Sequence, residues 1–243
     1  MKHKVIALAI TTVIITAWHS AANAQWVQTN APLGFDVSSL GVNGTTLFAG
    51  SGIYVKVYRS TNNGNYWIPV SNGLPDTAVN GSSWGVSAIV VLRGTLFIWT
   101  GGNGIYRSTN NGELWVSANN GLIDSLALQT IAIMDTELFV CTHSGGVFHS
   151  TNNGNSWSQV NSGLTDSNVQ ALAGNGISLF AATADSGVFR STNNGGTWVH
   201  ANNGITGFAI YSLIANGTSL FAGTNGSGEY RSTDSGASWT QID

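Results

Sequence analysis

Three aspartates in similar sequence surroundings are the first candidates for catalytic residues. Each follows a Gly-Leu pair and one further residue, and they are Asp76, Asp124 and Asp166. Paired carboxylates supply the acid and base of glycosidic cleavage, so these residues raise a hydrolase hypothesis. Aspartate is also a common turn residue, and a shared phase favours the turn interpretation.

An aromatic side chain surrounded by Asn and Asp can bind a neutral sugar or a peptide by stacking and hydrogen bonding. Trp84 lies in the segment 76–85, where the chain departs most from its own repeat. We therefore predict one ligand-binding mouth lined by Trp84, Tyr54, His143, Asp76, Asp124 and Asp166, close to Asp185. The alternative is that Trp84 only caps the interior of the fold.

The sequence lacks the residue patterns that other catalytic sites, metal sites and cofactor sites require. We predict no catalytic set, no metal site and no cofactor, because the histidines show no shared ligand spacing and the glycine-rich stretches precede strands. Charged residues make up only 8% of the chain, against an ordinary quarter or so. A chain without a basic stripe is not expected to bind nucleic acid.

An eight-residue motif, which we call the box, organises the chain. It reads STNNGNYW, STNNGELW, STNNGNSW, STNNGGTW and STDSGASW, and its serines are 48, 42, 41 and 41 residues apart. A fixed period of this size indicates an array of similar supersecondary units.

Each unit contains four short segments that are typical of strands. In the fourth unit these are residues 169–173, 178–183, 188–192 and 197–200, rich in Val, Leu and Phe and bounded by Gly or Asn. Asn43-Gly44 and its equivalents predict tight type I′ turns between the first two segments. The Leu-Phe pair that follows each turn predicts a sheet covered on both faces.

Four antiparallel strands in about 40 residues are the blade of a β-propeller. We predict an all-β fold, a single β-propeller of five four-stranded blades over residues 25–243. Trp26-Val27-Gln28 resembles a fourth strand that has no blade of its own. The alternative is therefore a fragment of a six- or seven-bladed or longer array.

The box resembles the Asp-box, or BNR repeat, and the chain is similar to secreted bacterial BNR-repeat propellers. The resemblance implies a structural role for the serine, the Asn or Asp, the glycine and the tryptophan of each box. These are Ser60, Asn62, Gly64, Trp67, Ser108, Asn110, Gly112, Trp115, Ser150, Asn152, Gly154, Trp157, Ser191, Asn193, Gly195, Trp198, Ser232, Asp234, Gly236 and Trp239.

Two enzyme classes share this repeat. Sialidases resemble the chain in fold but use three arginines, whereas four arginines here precede boxes and only Arg93 lies elsewhere in residues 25–243. Other Asp-box hydrolases cleave neutral polysaccharides with two carboxylates in a cleft between two propellers. We therefore expect a non-catalytic module that binds a glycan or a protein, with such a hydrolase or a structural fragment of a larger surface protein as alternatives.

The first 24 residues have the pattern of a secretory signal peptide. Lys2 and Lys4 precede an apolar run, and Ala22-Asn23-Ala24 forms a cleavage site. Residues 25–243 then carry six basic and eleven acidic residues, a formal charge of −5. We expect a secreted, periplasmic or surface-located protein that is monomeric and has no membrane span.

Export through this segment predicts cleavage after Ala24. The intact mass of the exported protein should correspond to a chain that begins at Gln25. A mass that retains residues 1–24 would contradict the signal-peptide interpretation.

Overall fold

The computed structural model describes residues 36–76, 85–123, 128–207 and 209–242. Twenty strands lie within these ranges. They are β1 (Val37–Asn43), β2 (Thr46–Ser51), β3 (Val57–Ser60), β4 (Ile68–Pro69), β5 (Val86–Leu92), β6 (Thr95–Thr100), β7 (Gly104–Ser108), β8 (Val116–Ser117), β9 (Leu128–Met134), β10 (Glu137–Thr142), β11 (Gly146–Ser150), β12 (Ser158–Gln159), β13 (Val169–Gly174), β14 (Leu179–Thr183), β15 (Val188–Ser191), β16 (Val199–His200), β17 (Ile210–Asn216), β18 (Ser219–Thr224), β19 (Glu229–Ser232) and β20 (Thr240–Ile242).

The strands form five antiparallel sheets, each a meander of four consecutive strands. Blade 1 is β1 to β4, and blades 2 to 5 follow in chain order. In every blade the first strand carries a β-bulge at the end away from its hairpin turn. The predicted all-β propeller of five four-stranded blades is confirmed. The predicted extra strand at Trp26 lies outside the described residues.

The Leu-Phe pair of each second strand points its two side chains to opposite faces of the sheet. The leucine packs toward the preceding blade and the phenylalanine toward the following one. We call these surfaces the Leu face and the Phe face of a blade. In blades 2 to 4 both residues are at most 1% exposed: Leu96, Phe97, Leu138, Phe139, Leu179 and Phe180.

Four hydrophobic clusters in the described part of the chain join successive blades. Each combines the Phe face of one blade with the Leu face and the box tryptophan of the next. Burial of this apolar surface is the main favourable contribution to folding, at about 25 cal/mol per Å². The core of the protein therefore lies between the sheets.

The box is a turn closed by its own side chains. The serine Oγ accepts a hydrogen bond from the glycine N–H at 2.9 Å in all five boxes. The same hydroxyl donates to the Asn or Asp side-chain oxygen at 2.7 to 3.0 Å. That oxygen also accepts the backbone N–H four residues later, which an amide and a carboxylate do equally well.

The residue after the Asn or Asp has a positive φ, between 54° and 56° in all five boxes. Asn tolerates this left-handed conformation better than most residues, which accounts for Asn63, Asn111, Asn153 and Asn194 in four of them. The next residue is a glycine, also at positive φ. The repeated Asn-Gly sequence is thus set by backbone geometry.

The box turn delivers its tryptophan to the preceding blade. In blades 2 to 5 the indole Nε1–H donates to a backbone carbonyl there, at 2.7 to 2.8 Å, and the tryptophan is at most 5% exposed. Trp67 of blade 1 is only half-buried and donates to Gly64 O of its own box at 3.1 Å.

Two local expectations need correction. The predicted type I′ turn at Asn43-Gly44 is wrong: Asn43 pairs with Thr46 in the strands, and Gly44 is the first turn residue with φ 61°. Among the turns that join first to second strands, Arg93-Gly94 is the one with positive φ at both turn residues. The fourth strands of blades 1 to 4 are also shorter than predicted, at two residues each.

Cys141 is fully buried in the cluster between blades 3 and 4, and burial raises the pKa of its thiol.

No helix in the described ranges is long and apolar enough to cross a membrane. The predicted signal peptide, residues 1–24, lies outside those ranges.

Replacing Trp157 with Ala should lower the free energy of unfolding by about 3–5 kcal/mol, because a buried indole and its hydrogen bond to blade 2 are lost. Trp67→Ala is the matched control and should cost clearly less, because that ring is half-buried and bonds within its own box. Urea denaturation followed by circular dichroism measures both. Equal losses would contradict a role for the preceding blade.

We expect Asp234 to make the fifth box sensitive to acid. Hydrogen bonds from the side chain and backbone of Ser238, and from the Ser232 hydroxyl, lower the pKa of Asp234 from 3.8 to about 2. A lowered pKa in the folded state stabilises the protein above the unfolded pKa, and this contribution is lost as the pH falls from about 4 toward 2. Asp234→Asn should therefore lose less thermal stability than the wild type in this window.

Asn193→Asp is the matched control, because it places a carboxylate among the same box donors in blade 4. It should add acid sensitivity over the same pH range. Thermal midpoints measured from pH 7 to pH 2 test both variants, and parallel curves for the three proteins would contradict the assignment.

Candidate functional site

The loops that join second to third strands lie on one face of the protein with the links between blades. Backbone hydrogen bonds tie them together, from Gly146 N to Ser167 O, from Ala184 N to Asn168 O and from Asn225 N to Ala209 O. We call this surface the mouth. The box turns lie on the opposite face with the hairpin turns, where Asn153 Nδ2 reaches Thr95 Oγ1 at 3.0 Å.

In three blades an asparagine clamps the mouth loop. It lies four residues after the box tryptophan, and its Oδ1 accepts a backbone N–H at the start of the third strand at 2.6 to 2.8 Å. Its Nδ2 donates to a carbonyl of the loop at 2.8 to 3.2 Å. These residues are Asn119, Asn161 and Asn202, and the repeated W-x-x-x-N spacing was the signal that could have revealed them. Their polar groups hold the loops, so they are not available to a ligand.

Blade 1 departs from this arrangement. Ser71 takes the position of the asparagine, and among the described residues its Oγ bonds to Val57, at 2.9 Å from N and 3.2 Å from O. The mouth loop of this blade is also longer. Ile53 and Tyr54 at its tip are 43% and 50% exposed, whereas the next residue, Val55, is 1% exposed and anchors the loop in the core.

The longest insertion of the repeat begins and ends against this same loop. At its start, Asp76 Oδ1 lies 3.0 Å from Lys56 Nζ, two residues from Tyr54. At its end, Gly85 N donates to Gly52 O at 3.1 Å. A side chain at position 85 would collide with the Ser51 carbonyl, so only glycine permits this approach. The two irregularities of the repeat therefore meet at one place on the mouth.

The predicted site residues are divided among the blades. Asp76 pairs with Lys56, two residues from Tyr54. His143 is exposed on the mouth loop of blade 3. Asp166 accepts the backbone N–H groups of Asn168 and Asp185 at 2.9 and 3.0 Å, so both of its oxygens hold the link to blade 4.

Trp84 and Asp124 lie outside the described residues. Trp99, at the end of a second strand, packs in the cluster between blades 2 and 3. Among the residues that the structure describes, no three His, Cys, Asp or Glu side chains form a group that could hold a metal ion.

Two of the four arginines before the boxes hold the following blade at the opposite face. Arg59 Nη1 and Arg107 Nη1 donate to the box carbonyls of the following blade, at Asn111 and Asn153, both at 2.8 Å. A shallow cleft on this face, between blades 2 and 3, is lined by Arg93, Thr95, Thr136, Thr151 and Asn153 with Leu92 and Asn152. This cleft is not at the predicted mouth.

The sequence profile of the DUF6242 beta propeller domain matches residues 77–206, more than half of the chain. The chain belongs to this family. No curated protein matches it in sequence.

Three solved structures show the breadth of the fold. The GH74 xyloglucanase from Xanthomonas campestris superposes with a TM-score of 0.65 at 16% identity, over 85% of this chain and 38% of its own. YCF48 from Cyanidioschyzon merolae gives 0.64 at 14%, over 86% and 72%. YCF48 bound to D1 peptide gives 0.63 at 14%, over 85% and 67%. At these identities the likeness concerns the fold alone, and the chain spans little more than a third of the xyloglucanase.

Proposed function

We propose that this protein is an exported, non-catalytic propeller that binds a glycan or a peptide at the mouth of blades 1 and 2. The observation that supports this most directly is the meeting of two irregularities there. The longer loop with Ile53 and Tyr54 contacts Asp76 and Gly85, the two residues that flank the insertion 77–84. Residues that every blade shares serve the scaffold, so the place where the repeat is broken is the best candidate for a function.

The chemistry of this surface suits a ligand of mixed polarity and no strong charge. A half-exposed tyrosine ring provides a stacking surface, and Ile53 extends its apolar area. The Lys56–Asp76 pair adds both a donor and an acceptor at the edge, with no net charge. The insertion carries Trp84, a further aromatic residue that would enlarge the surface.

Both a glycan and a peptide are reasonable ligand classes for a propeller of this fold. One structural neighbour is named a xyloglucanase and another is described as bound to a peptide. The present geometry favours binding over hydrolysis, because Asp76 is paired with Lys56 and Asp166 holds two backbone N–H groups. We also infer that the boxes are Asp-box repeats, since their serine and Asn or Asp side chains close the same turn in each blade.

Replacing Tyr54 with Ala should weaken ligand binding about tenfold, the loss expected when one aromatic contact worth roughly 1.4 kcal/mol is removed. Tyr66→Ala is the matched control, because Tyr66 is 67% exposed on the box face and should not contribute. A glycan array and a peptide library identify the ligand, and titration calorimetry measures the affinity of the three proteins.

Equal affinities for Tyr54→Ala and the wild type would remove this surface from the site. Release of reducing sugar from a neutral polysaccharide, abolished in Asp76→Asn, would replace the binding proposal with the hydrolase alternative. A Tyr66→Ala variant that alone loses binding would instead locate the ligand on the box face.

A further inference from the structure

Each end blade exposes a face that the internal blades bury. On the Leu face of blade 1, Leu40 is 67% and Val42 is 42% exposed, whereas the equivalent of Leu40 in blade 2, Ile89, is 7% exposed. On the Phe face of blade 5, Phe221 is 38% and Ile214, its cross-strand partner, is 53% exposed. The two surfaces are the two halves of the interface that recurs four times inside the chain.

The polar groups of that interface are also present at the two ends. Arg231 holds the position from which Arg59 and Arg107 donate to a box carbonyl of the following blade, and it lies 5.8 Å over the Phe221 ring. The equivalent carbonyl at the other end is that of Asn63. Trp67 likewise is the box indole that does not donate to a preceding blade. Its equivalent acceptor on blade 5, three residues after Trp239, is Ile242 O.

We propose that the Phe face of blade 5 docks on the Leu face of blade 1 of a second copy of this chain. This contact continues an interface established four times in the molecule, with apolar residues at equivalent positions. It would reproduce the indole contact that all four interfaces share and the arginine contact that two of them share. Arg231 of one copy would donate to Asn63 O of the next, and Trp67 would donate to Ile242 O. A protein that assembles in this way is not the monomer expected from the sequence.

The contact joins two different surfaces, so it is heterologous. Such an interface produces a closed ring of copies or an open chain. Each copy contributes its Phe face of blade 5 to one neighbour and its Leu face of blade 1 to the other. This directionality separates the proposal from an ordinary two-fold dimer, in which one surface pairs with itself.

The N-terminal segment 26–33 is the competing occupant of the Leu face of blade 1. Trp26 lies 41 residues before Trp67, in phase with the repeat. However, Pro32 stands where Gly73, Gly121, Gly163 and Gly204 have φ between 84° and 95°. Proline fixes φ near −65° and cannot adopt this conformation. A Cβ there would also lie within 2.3 Å of the carbonyl of the following box tryptophan.

The test uses the whole protein as it is exported. Two single variants each introduce a charged residue on one of the two end surfaces. Leu40→Asp blocks the Leu face of blade 1, and Phe221→Asp blocks the Phe face of blade 5. Ile177→Asp is the matched control, because Ile177 is 76% exposed in a hairpin turn of blade 4, on neither end surface. Light scattering after size exclusion, over a wide concentration range, measures the mass of each protein.

We expect the wild type and Ile177→Asp to show a concentration-dependent mass at least about twice that of a monomer. Leu40→Asp and Phe221→Asp should each be monomeric. Their equimolar mixture should form a one-to-one pair, because each variant retains the surface that the other lacks. Arg231→Ala, which leaves the apolar surfaces intact, should weaken assembly about tenfold through loss of a charged hydrogen bond.

Two results would overturn the proposal. A wild type that is monomeric at every concentration would show that the end surfaces are covered within one chain, by residues 26–33 or by each other. Single variants that still dimerise, or a mixture that does not pair, would show that the contact is not heterologous. Thermal unfolding of each variant establishes that it is folded, which the exposure of both positions favours.

Discussion

The packing of each blade against the one before it is the interaction on which the structure depends. A single four-stranded sheet with apolar side chains on both faces cannot bury them alone. The box solves this by placing a tryptophan at the start of the fourth strand, where its ring enters the preceding blade and its N–H reaches a backbone carbonyl there. Each blade is therefore completed by a neighbour, and within the described part of the chain one face of each end blade is exposed.

This dependence separates scaffold from candidate site. The box serine and Asn side chains, and the side chains of Arg59, Arg107 and Arg190, are already hydrogen-bonded within turns or blade contacts. The polar side chains that recur in every blade thus mostly form hydrogen bonds that hold the blades and their turns. Blade 1 differs because Ser71 is too short to hold its mouth loop as Asn161 holds its counterpart. A longer loop with an exposed tyrosine occurs in this blade, where a serine takes the place of the asparagine that clamps blades 2 to 4.

The fold could be predicted from the sequence because the box, the Leu-Phe pair and the turn residues recur in phase. The candidate site was predictable only in part. Tyr54, His143 and Asp166 were assigned to one mouth, and they do lie on one face, but they belong to blades 1, 3 and 4. The pairing of Asp76 with Lys56 was not foreseen, because the two residues are 20 positions apart and share no motif.

The sequence by itself determined the all-β class, the number of blades and the structural role of the box, because local turn geometry and a fixed period carry that information. Only the tertiary structure decided which irregularities meet. Gly85 approaches Gly52 across a gap in sequence that no periodicity encodes. The exposure of Leu40 and Phe221 was likewise invisible in the sequence, where both occupy apolar positions that resemble those of every other blade, since burial depends on whether a neighbouring sheet is present.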